Sequence, residues 1–167
     1  MNITLEQWKS EFISGVAKYA NNKKIADNLR DAFPFPYTDT DAQFYVNDCI
    51  EKGDDNQLCR GIVVDGECVG SIGIFVQNDV YRKSGELGYW LGEPFWNKGI
   101  MSAAINQICE EAFEHFGIIR IFAEPFAHNI GSRKVLEKAG FTLEGEMKNS
   151  VCKNDKIYDS CLYALLK

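Results

Sequence analysis

A strand, a loop and a long helix follow one another from Leu87 to Phe116, and the start of the helix has the features of an anion site. Gly99 stands directly before the helix, where the lack of a side chain lets a ligand approach the backbone. The N–H groups of a first helical turn have no partner within the helix, and they lie at the positive end of the helix dipole. Together these features suit a diphosphate. An ordinary helix start with a packing glycine would show the same pattern, so the residues by themselves leave both interpretations open.

The helix after Gly99 has the strongest periodic pattern in the chain. Apolar residues recur at helical spacing from Ile100 to Phe116, and Gly117 is placed to end the helix. The predicted buried stripe consists of Met101, Ile105, Ile108, Ala112 and Phe116, with Ser102, Asn106, Gln107, Glu110 and Glu114 facing away. A second helix is predicted from Asn129 to Ala139, closed by Gly140.

Short β-rich runs predict the strands that must carry the loop. Asp65-Gly66 suits a type I′ turn and joins the first two runs into a hairpin, and the polar residues from Lys153 to Lys156 separate the last two. The predicted strands are Leu58–Val64, Cys68–Val76, Glu86–Leu91, Ile118–Ala123, Phe141–Val151 and Ile157–Leu166.

The first fifty residues have a helical pattern. Trp8, Phe12, Val16 and Tyr19 share one helix face. A second helix is predicted from Lys23 to Ala32. A third is predicted to begin at an N-cap, Thr40, and to bury Phe44 and Ile50, with Tyr45 as a further candidate for burial. No clear strand precedes these helices, so the sheet is expected to lack a first strand or to have only a stub from Met1 to Leu5.

Composition narrows the class of protein. The order of elements predicts one mixed α/β domain over residues 1–167, with helices on a central sheet. A net charge of −6 argues against nucleic acid as a partner and is compatible with a cationic substrate such as an amine. Six cysteines without a C-x-x-C pair, and only two histidines, argue against a metal site. Without a signal peptide or a membrane-spanning run, the sequence predicts a cytoplasmic protein with free thiols and no membrane partner.

Two segments resemble motifs of the GNAT acetyltransferases, most of all the branch with the ribosomal-protein N-terminal acetyltransferases. Gly88-Tyr89-Trp90-Leu91, followed by Phe95 to Ser102, is similar to the acetyl-coenzyme A loop of that family. Asn129 to Phe141 is similar to the Asn-x-x-Ser-x-x-x-Leu-Glu-Lys-x-Gly-Phe helix of that branch. The resemblance covers about residues 25 to 166. It implies the GNAT fold, an α/β fold with a central, mostly antiparallel sheet, a splayed parallel strand pair and flanking helices.

The resemblance also implies that acetyl-coenzyme A binds, without a metal, in a gap between the strands Glu86–Leu91 and Ile118–Ala123. The amides of its pantetheine arm would pair with the backbone of the first strand, at Leu87, Tyr89 and Leu91. Asn129 would contact it near the thiol, and Ser132 would place a hydroxyl close to the leaving sulfur. The pyrophosphate would be held by the backbone of Asn97, Lys98, Gly99, Ile100, Met101 and Ser102.

The sequence departs from the pattern of the superfamily at three positions in these segments. Trp96 stands where glutamine or arginine is frequent in the wider superfamily, although tryptophan is common in this branch. Met101 stands where glycine or alanine is frequent, and Leu136 stands where many relatives carry a tyrosine that acts as an acid. The resemblance therefore does not supply that acid.

Acetyl transfer to an amine requires removal of a proton, a donor to the thioester oxygen, and a hydrogen bond to the departing thiolate. Glu86, directly before the Leu87–Leu91 strand, is the candidate base, through a water or directly; a solvent-facing glutamate is the alternative. A backbone N–H between Leu87 and Leu91 can serve the oxyanion. Ser132 is the candidate acid or donor to sulfur, and its alternative is a hydroxyl that caps its own helix, as for Asn129. No cysteine lies in a motif suited to a covalent relay, so direct attack is expected.

Three functions remain open at this stage. The first is acetylation of a protein N-terminus, which the branch resemblance favours. The second is acetylation of a small amine such as a polyamine, an amino sugar or an antibiotic, which an acceptor mouth lined by carboxylates would favour. The third is a non-catalytic acyl-coenzyme A binding module. The sequence does not fix the oligomeric state, and a homodimer is one alternative.

Overall fold

The computed structural model describes all 167 residues. A single seven-stranded sheet runs through the protein in the order β1-β2-β3-β4-β5-β7-β6. Every neighbouring pair is antiparallel except β4 and β5, which are parallel. The strands are β1 Ile3–Glu6, β2 Gln57–Val64, β3 Glu67–Val76, β4 Ser84–Leu91, β5 Arg120–Ala123, β6 Thr142–Lys153 and β7 Lys156–Leu166. The predicted class, a mostly antiparallel sheet with one parallel pair and flanking helices, is confirmed.

Helices cover both faces of the sheet, each over its own core. The helices are α1 Ile13–Ala20, α2 Lys23–Ala26, α3 Asp39–Lys52, α4 Ile100–Phe116 and α5 Ile130–Lys138. The first three pack on one face against residues such as Cys59 and Trp90, while α4 and α5 pack on the other face against residues such as Leu58 and Leu87. Because successive side chains of a strand point to opposite faces, each strand serves both cores. None of the helices combines the length and apolar character needed to cross a membrane.

Local turn chemistry sets the two hairpins. Asp65 and Gly66 have φ values of 49° and 87°, as a type I′ turn requires, and they join β2 to β3 as predicted. Asn154 and Asp155, with φ values of 53° and 60°, join β6 to β7 in the same way. The helix predicted over Ile100–Phe116 has those same bounds, and Gly117 ends it with a φ of 63°.

The N-terminal region confirms one expectation and corrects another. β1, at Ile3–Glu6, is the short first strand that was expected as a stub from Met1 to Leu5, and it pairs with β2 over four residues. The second helix ends at Ala26 rather than Ala32. Four residues are too short to show a helical or strand period, so pattern reasoning has little to detect in either segment.

The third helix begins two residues earlier than predicted, at Thr38 rather than Thr40. The Thr38 hydroxyl accepts the Asp41 N–H at 3.2 Å, and the Asp41 carboxylate accepts the Thr38 N–H at 2.8 Å, which is a capping box. The buried stripe is Ala42, Val46 and Cys49. The prediction that Phe44 and Ile50 are buried is wrong, since they are 74% and 47% exposed on the outer face.

The parallel pair is short, and its two strands separate early. Only Ser84 to Glu86 of β4 pair with β5. Beyond Glu86, β4 continues beside β3 as far as Leu91, whereas the chain after β5 stays beside β7 through a bridge between Phe126 and Ser160. A gap therefore opens in the sheet after Glu86.

Gly15 marks the closest approach of α1 to the sheet. A Cβ at this position would stand 2.3 Å from the carbonyl oxygen of Cys68, a backbone atom that cannot move aside. We expect Gly15→Ala to lower the free energy of unfolding by about 1–2 kcal/mol, because overpacking outweighs the gain in helix propensity. Urea denaturation followed by circular dichroism measures the change. Gly145→Ala is the control, since a Cβ there meets nothing within 4 Å. Equal unfolding midpoints for the two variants would contradict this packing account.

Candidate active site

Six successive backbone N–H groups at the start of α4 have no acceptor within the protein. They belong to the loop and first helical turn from Asn97 to Ser102, and no side chain caps the helix. Asn97 and Gly99 adopt left-handed φ values of 59° and 77°, which curl the successive N–H groups around a concavity. A side chain at Gly99 would meet no protein atom within 4 Å, so the space before the helix is open. This donor set fits a diphosphate.

Contacts with β4, α1 and α2 hold the loop in this shape. The Trp96 indole N–H donates to the Leu91 carbonyl at 2.7 Å. The Phe95 ring packs edge-on against Tyr19 with ring centroids 5.4 Å apart, and Glu93 is paired with Lys24 at 2.7 Å. The aromatic residues of the loop therefore support it by packing and hydrogen bonding within the protein.

Two of the residues predicted to bind the pyrophosphate through their backbone have side chains that lie in the core. Met101 and Ser102 are each only 7% exposed, so Ser102 does not face away from the buried stripe as predicted. The correction follows from helix geometry, because Ser102 is three residues before Ile105 and shares its side of the helix. Their side chains point inward while their N–H groups remain free, so a methionine at position 101 leaves the amides of the loop open.

The edge of β4 that faces the gap presents alternate residues. Gly92 donates its N–H to Val69 of β3, and Ser84 accepts from Gln77. In an antiparallel pair this register directs the backbone groups of the even-numbered residues towards β3. The backbone groups of Leu87, Tyr89 and Leu91 consequently face the gap, where β5 no longer pairs with them. An extended chain that carries amides can add to such an edge as a further strand.

Glu86 lies where the two strands separate. It is the last residue of β4 in register with β5, opposite Phe122, and its side chain lies on the Trp90 face. Its Oε2 accepts from the Arg30 guanidinium at 2.8 Å, and its Oε1 has no partner. Sequence reasoning missed Arg30, which follows α2 and contacts Glu86 only through the tertiary fold.

Ser132 and Asn129 lie at the start of α5, on the far side of the gap. Asn129 caps the helix by accepting the Ser132 N–H at 3.3 Å, so the capping interpretation of Asn129 is confirmed. The Ser132 hydroxyl does not cap the helix. It lies 2.5 Å from the Tyr89 hydroxyl, which is the second contact that sequence reasoning missed. Burial raises the pKa of Tyr89 to about 12, so this phenol stays protonated at neutral pH.

A cavity of about 420 Å³ lies beside the gap. Its charged lining residues are Arg30, Asp31, Glu124 and Lys153. Arg30 is paired with Glu86 at 2.8 Å, and Lys153 is paired with Asp31 at 2.9 Å. Glu124, which directly follows β5, makes no hydrogen bond or ion pair within the protein. The cavity therefore offers one uncompensated carboxylate, and the chain contains no cluster of side chains suited to a metal ion.

The sheet opens between two parallel strands, free amides lie at one end of the gap, and a charged cavity lies beside it. Together these features are typical of the class of acyl-coenzyme A-dependent acyltransferases. Residues 2–142 match the family model described as "Acetyltransferase (GNAT) domain". The chain belongs to the GNAT acetyltransferase family.

Three similar proteins illustrate the relationship. The chain is 34% identical over 117 residues to the "Putative ribosomal N-acetyltransferase YdaF" of Bacillus subtilis (strain 168), a match that covers 70% of this chain and 63% of that protein. It is 31% identical over 103 residues to the "Ribosomal-protein-serine acetyltransferase" of Escherichia coli (strain K12), covering 62% of this chain and 57% of that protein. Both matches thus span about three fifths of the relatives' length.

The third is a solved structure of RimL, described as a "Ribosomal L7/L12 alpha-N-protein acetyltransferase in complex with Coenzyme A". It superposes with a TM-score of 0.87 over 99% of this chain and 94% of that chain, at 21% identity. At this level of identity the likeness establishes the fold.

Gly99→Ala tests whether the loop conformation serves a ligand. Alanine at a φ of 77° is strained by about 1–2 kcal/mol, and relief of that strain redirects the free amides. We expect the dissociation constant for coenzyme A, measured by isothermal titration calorimetry, to rise about tenfold, since one anion-bonded amide contributes about 1.5–3 kcal/mol.

The matched control for this variant is Gly117→Ala at the other end of α4. Gly117 has the same left-handed conformation, with a φ of 63°, and a Cβ there would meet only the Lys83 amine at 4.0 Å, but it does not lie in the loop. This control should lose similar stability and bind coenzyme A as the parent protein does. Equal affinities in the two variants would show that the conformation at Gly99 has no part in binding.

Proposed function

We propose that this protein transfers the acetyl group of acetyl-coenzyme A to the α-amine of a protein N-terminus. The observation that carries the proposal is the charge pattern of the cavity beside the gap. Two of its three nearby carboxylates are neutralised by Arg30 and Lys153, and only Glu124 is left without a cation. A protein N-terminus brings one ammonium group, which matches one free carboxylate. A polyamine carries several ammonium groups, and the cavity has no further unpaired carboxylate to bind them.

The co-substrate fits the opposite side of the same gap. The free N–H groups from Asn97 to Ser102 supply donors for its diphosphate. The gap-facing backbone of Leu87, Tyr89 and Leu91 supplies pairing groups for its pantetheine amides, and Asn129 and Ser132 border the gap nearer its closed end. Bound in this way, acetyl-coenzyme A supplies an activated acetyl group as a thioester.

Each step of the transfer then has a group in place. Glu86 takes a proton from the acceptor ammonium through a water on its free Oε1, while Arg30 holds Oε2 and fixes the carboxylate. The neutral amine attacks the thioester carbonyl, and a gap-facing N–H of β4 stabilises the oxyanion. The nitrogen releases its second proton to water as the C–S bond breaks and the amide forms, and the Ser132 hydroxyl donates a hydrogen bond to the departing thiolate.

The thiol groups support direct transfer. Five of the six cysteines are buried. Burial raises the pKa values of Cys68 and Cys109 to about 12, so these thiols remain protonated and unreactive. Cys152 is exposed and lines the cavity.

Intact-mass measurement after incubation with acetyl-coenzyme A alone checks for a covalent relay, and direct transfer leaves the protein mass unchanged.

Glu86→Gln keeps the shape of the side chain but removes the base. We expect kcat/KM for a peptide acceptor to fall about 100-fold or more, as loss of a general base does, while coenzyme A binding is unchanged. Glu110→Gln, on the exposed side of α4, is the control and should retain the parent rate. Tight coenzyme A binding without acetylation of any amine by the parent protein would instead support a non-catalytic binding module.

Glu124→Gln tests the acceptor. Loss of the free carboxylate should raise the KM for a peptide with a free N-terminus about tenfold, equivalent to about 1.4 kcal/mol, with little change in kcat. The assay compares this peptide with an N-blocked peptide that contains lysine, and with spermidine. The proposal expects acetylation of the free N-terminus only. Faster acetylation of spermidine by the parent protein would overturn the assignment in favour of a small-amine acceptor.

A further inference from the structure

Two hydroxyl groups meet across the gap of the sheet. The Tyr89 hydroxyl comes from β4 and the Ser132 hydroxyl from the first turn of α5, and the two oxygens are 2.5 Å apart. Their residues are 43 positions apart in the chain. The Tyr89 side chain lies on the α4 face of the sheet, opposite to the face that carries Glu86 and Trp90. The pair therefore lies on the side of the gap away from the acceptor cavity.

The protons of this pair can be assigned from chemistry. Each hydroxyl has one proton, and neither oxygen has another hydrogen-bond partner in the protein. A phenol is a stronger acid than an alcohol, so Tyr89 is the better donor and the serine oxygen the better acceptor. Burial raises the pKa of Tyr89 to about 12, so its proton is present at any physiological pH. The proton of Ser132 is then free to point at a third atom.

The Tyr163 phenol, which contacts α5 from β7, cannot take this part. The Tyr163 hydroxyl donates to Glu137 at 2.9 Å, so its proton is already used. Leu136, at the α5 position where a tyrosine acid was sought in the sequence, is fully buried and has no polar group. The paired hydroxyls of Ser132 and Tyr89 thus supply a donor at the start of α5.

We propose that Tyr89 is a positioning residue for acetyl transfer: by donating to the Ser132 oxygen, it aims the Ser132 proton at the sulfur that leaves the thioester. This inference rests on the role of Ser132 in the proposed function. A hydroxyl that accepts one hydrogen bond becomes a better donor of the next, so Tyr89 also strengthens the bond to the thiolate. No net proton transfer from Tyr89 is required.

A double-mutant cycle tests the coupling. Ser132→Ala should lower kcat about tenfold, as expected for loss of one hydrogen bond to a charged group, and Tyr89→Phe should lower it about fivefold. The double variant should be no slower than Ser132→Ala, because Tyr89 acts only through the serine hydroxyl. The dissociation constant for coenzyme A and the KM for the acceptor should not change in any of the three variants.

The outcomes separate this inference from the proposed function. An unchanged kcat in Ser132→Ala would remove the role of Ser132 and the inference with it. A reduced kcat in Ser132→Ala with a normal Tyr89→Phe would overturn the inference alone. The inference would also be overturned if Tyr89→Phe lowered kcat by the same factor in the Ser132→Ala variant as in the parent protein. The two residues would then act independently.

An isosteric replacement changes the pH profile of kcat, which a purely structural role of Tyr89 would leave unchanged. It also tests the inference if Tyr89→Phe fails to fold. Incorporation of 3,5-difluorotyrosine at position 89 keeps the shape but makes the phenol more acidic. Activity that needs the protonated phenol is present below its pKa and is lost above it. The modified enzyme should therefore lose kcat at a lower alkaline pH than the parent. Identical pH profiles for the two proteins would contradict the inference.

Discussion

The separation of β4 and β5 after three paired residues is the constraint on which the rest of the site depends. A backbone edge in the middle of a sheet would normally be paired, since unpaired N–H and C=O groups in a protein interior are costly. Here β4 keeps β3 as its partner on one side and loses β5 on the other. The edge left between Leu87 and Leu91 is thus a ready-made pairing surface in a protected position. Trp96 uses only the Leu91 carbonyl, and through that bond the same edge also supports the loop before α4.

Alternation along β4 divides the chemistry between the two faces of the sheet. Glu86 and Trp90 point to the face covered by α1–α3, and Leu87, Tyr89 and Leu91 point to the face covered by α4 and α5. The carboxylate proposed to act on the acceptor and the phenol proposed to position Ser132 therefore lie on opposite sides of one short strand. A shift of register by one residue would exchange these faces. The long pairing of β4 with β3, from Gly85 to Leu91, fixes the register of β4.

Sequence reasoning was most accurate where one local signal decides the structure. The bounds of α4 follow from an apolar stripe with a glycine at each end, and the first hairpin follows from Asp65-Gly66. It failed where the tertiary fold decides. Phe44 is exposed although it is apolar, because the shorter side chains of Ala42 and Val46 face the sheet. The contacts of Arg30 with Glu86 and of Tyr89 with Ser132 join residues 56 and 43 positions apart, and no periodic pattern encodes such pairs.

The missing tyrosine on α5 shows why a site has to be judged by geometry rather than by position in a motif. What a departing thiolate needs is a donor that is protonated, partly shielded from water and aimed across the gap. The element from which that donor comes does not matter. The Leu136 side chain of α5 packs in the core, whereas the Tyr89 side chain of β4 contacts the start of the same helix. A phenol is thus present on the strand that faces the helix, and its hydroxyl contacts that of Ser132. Absence of one motif residue is therefore weak evidence against catalysis while the opposite wall of the gap can carry the same group.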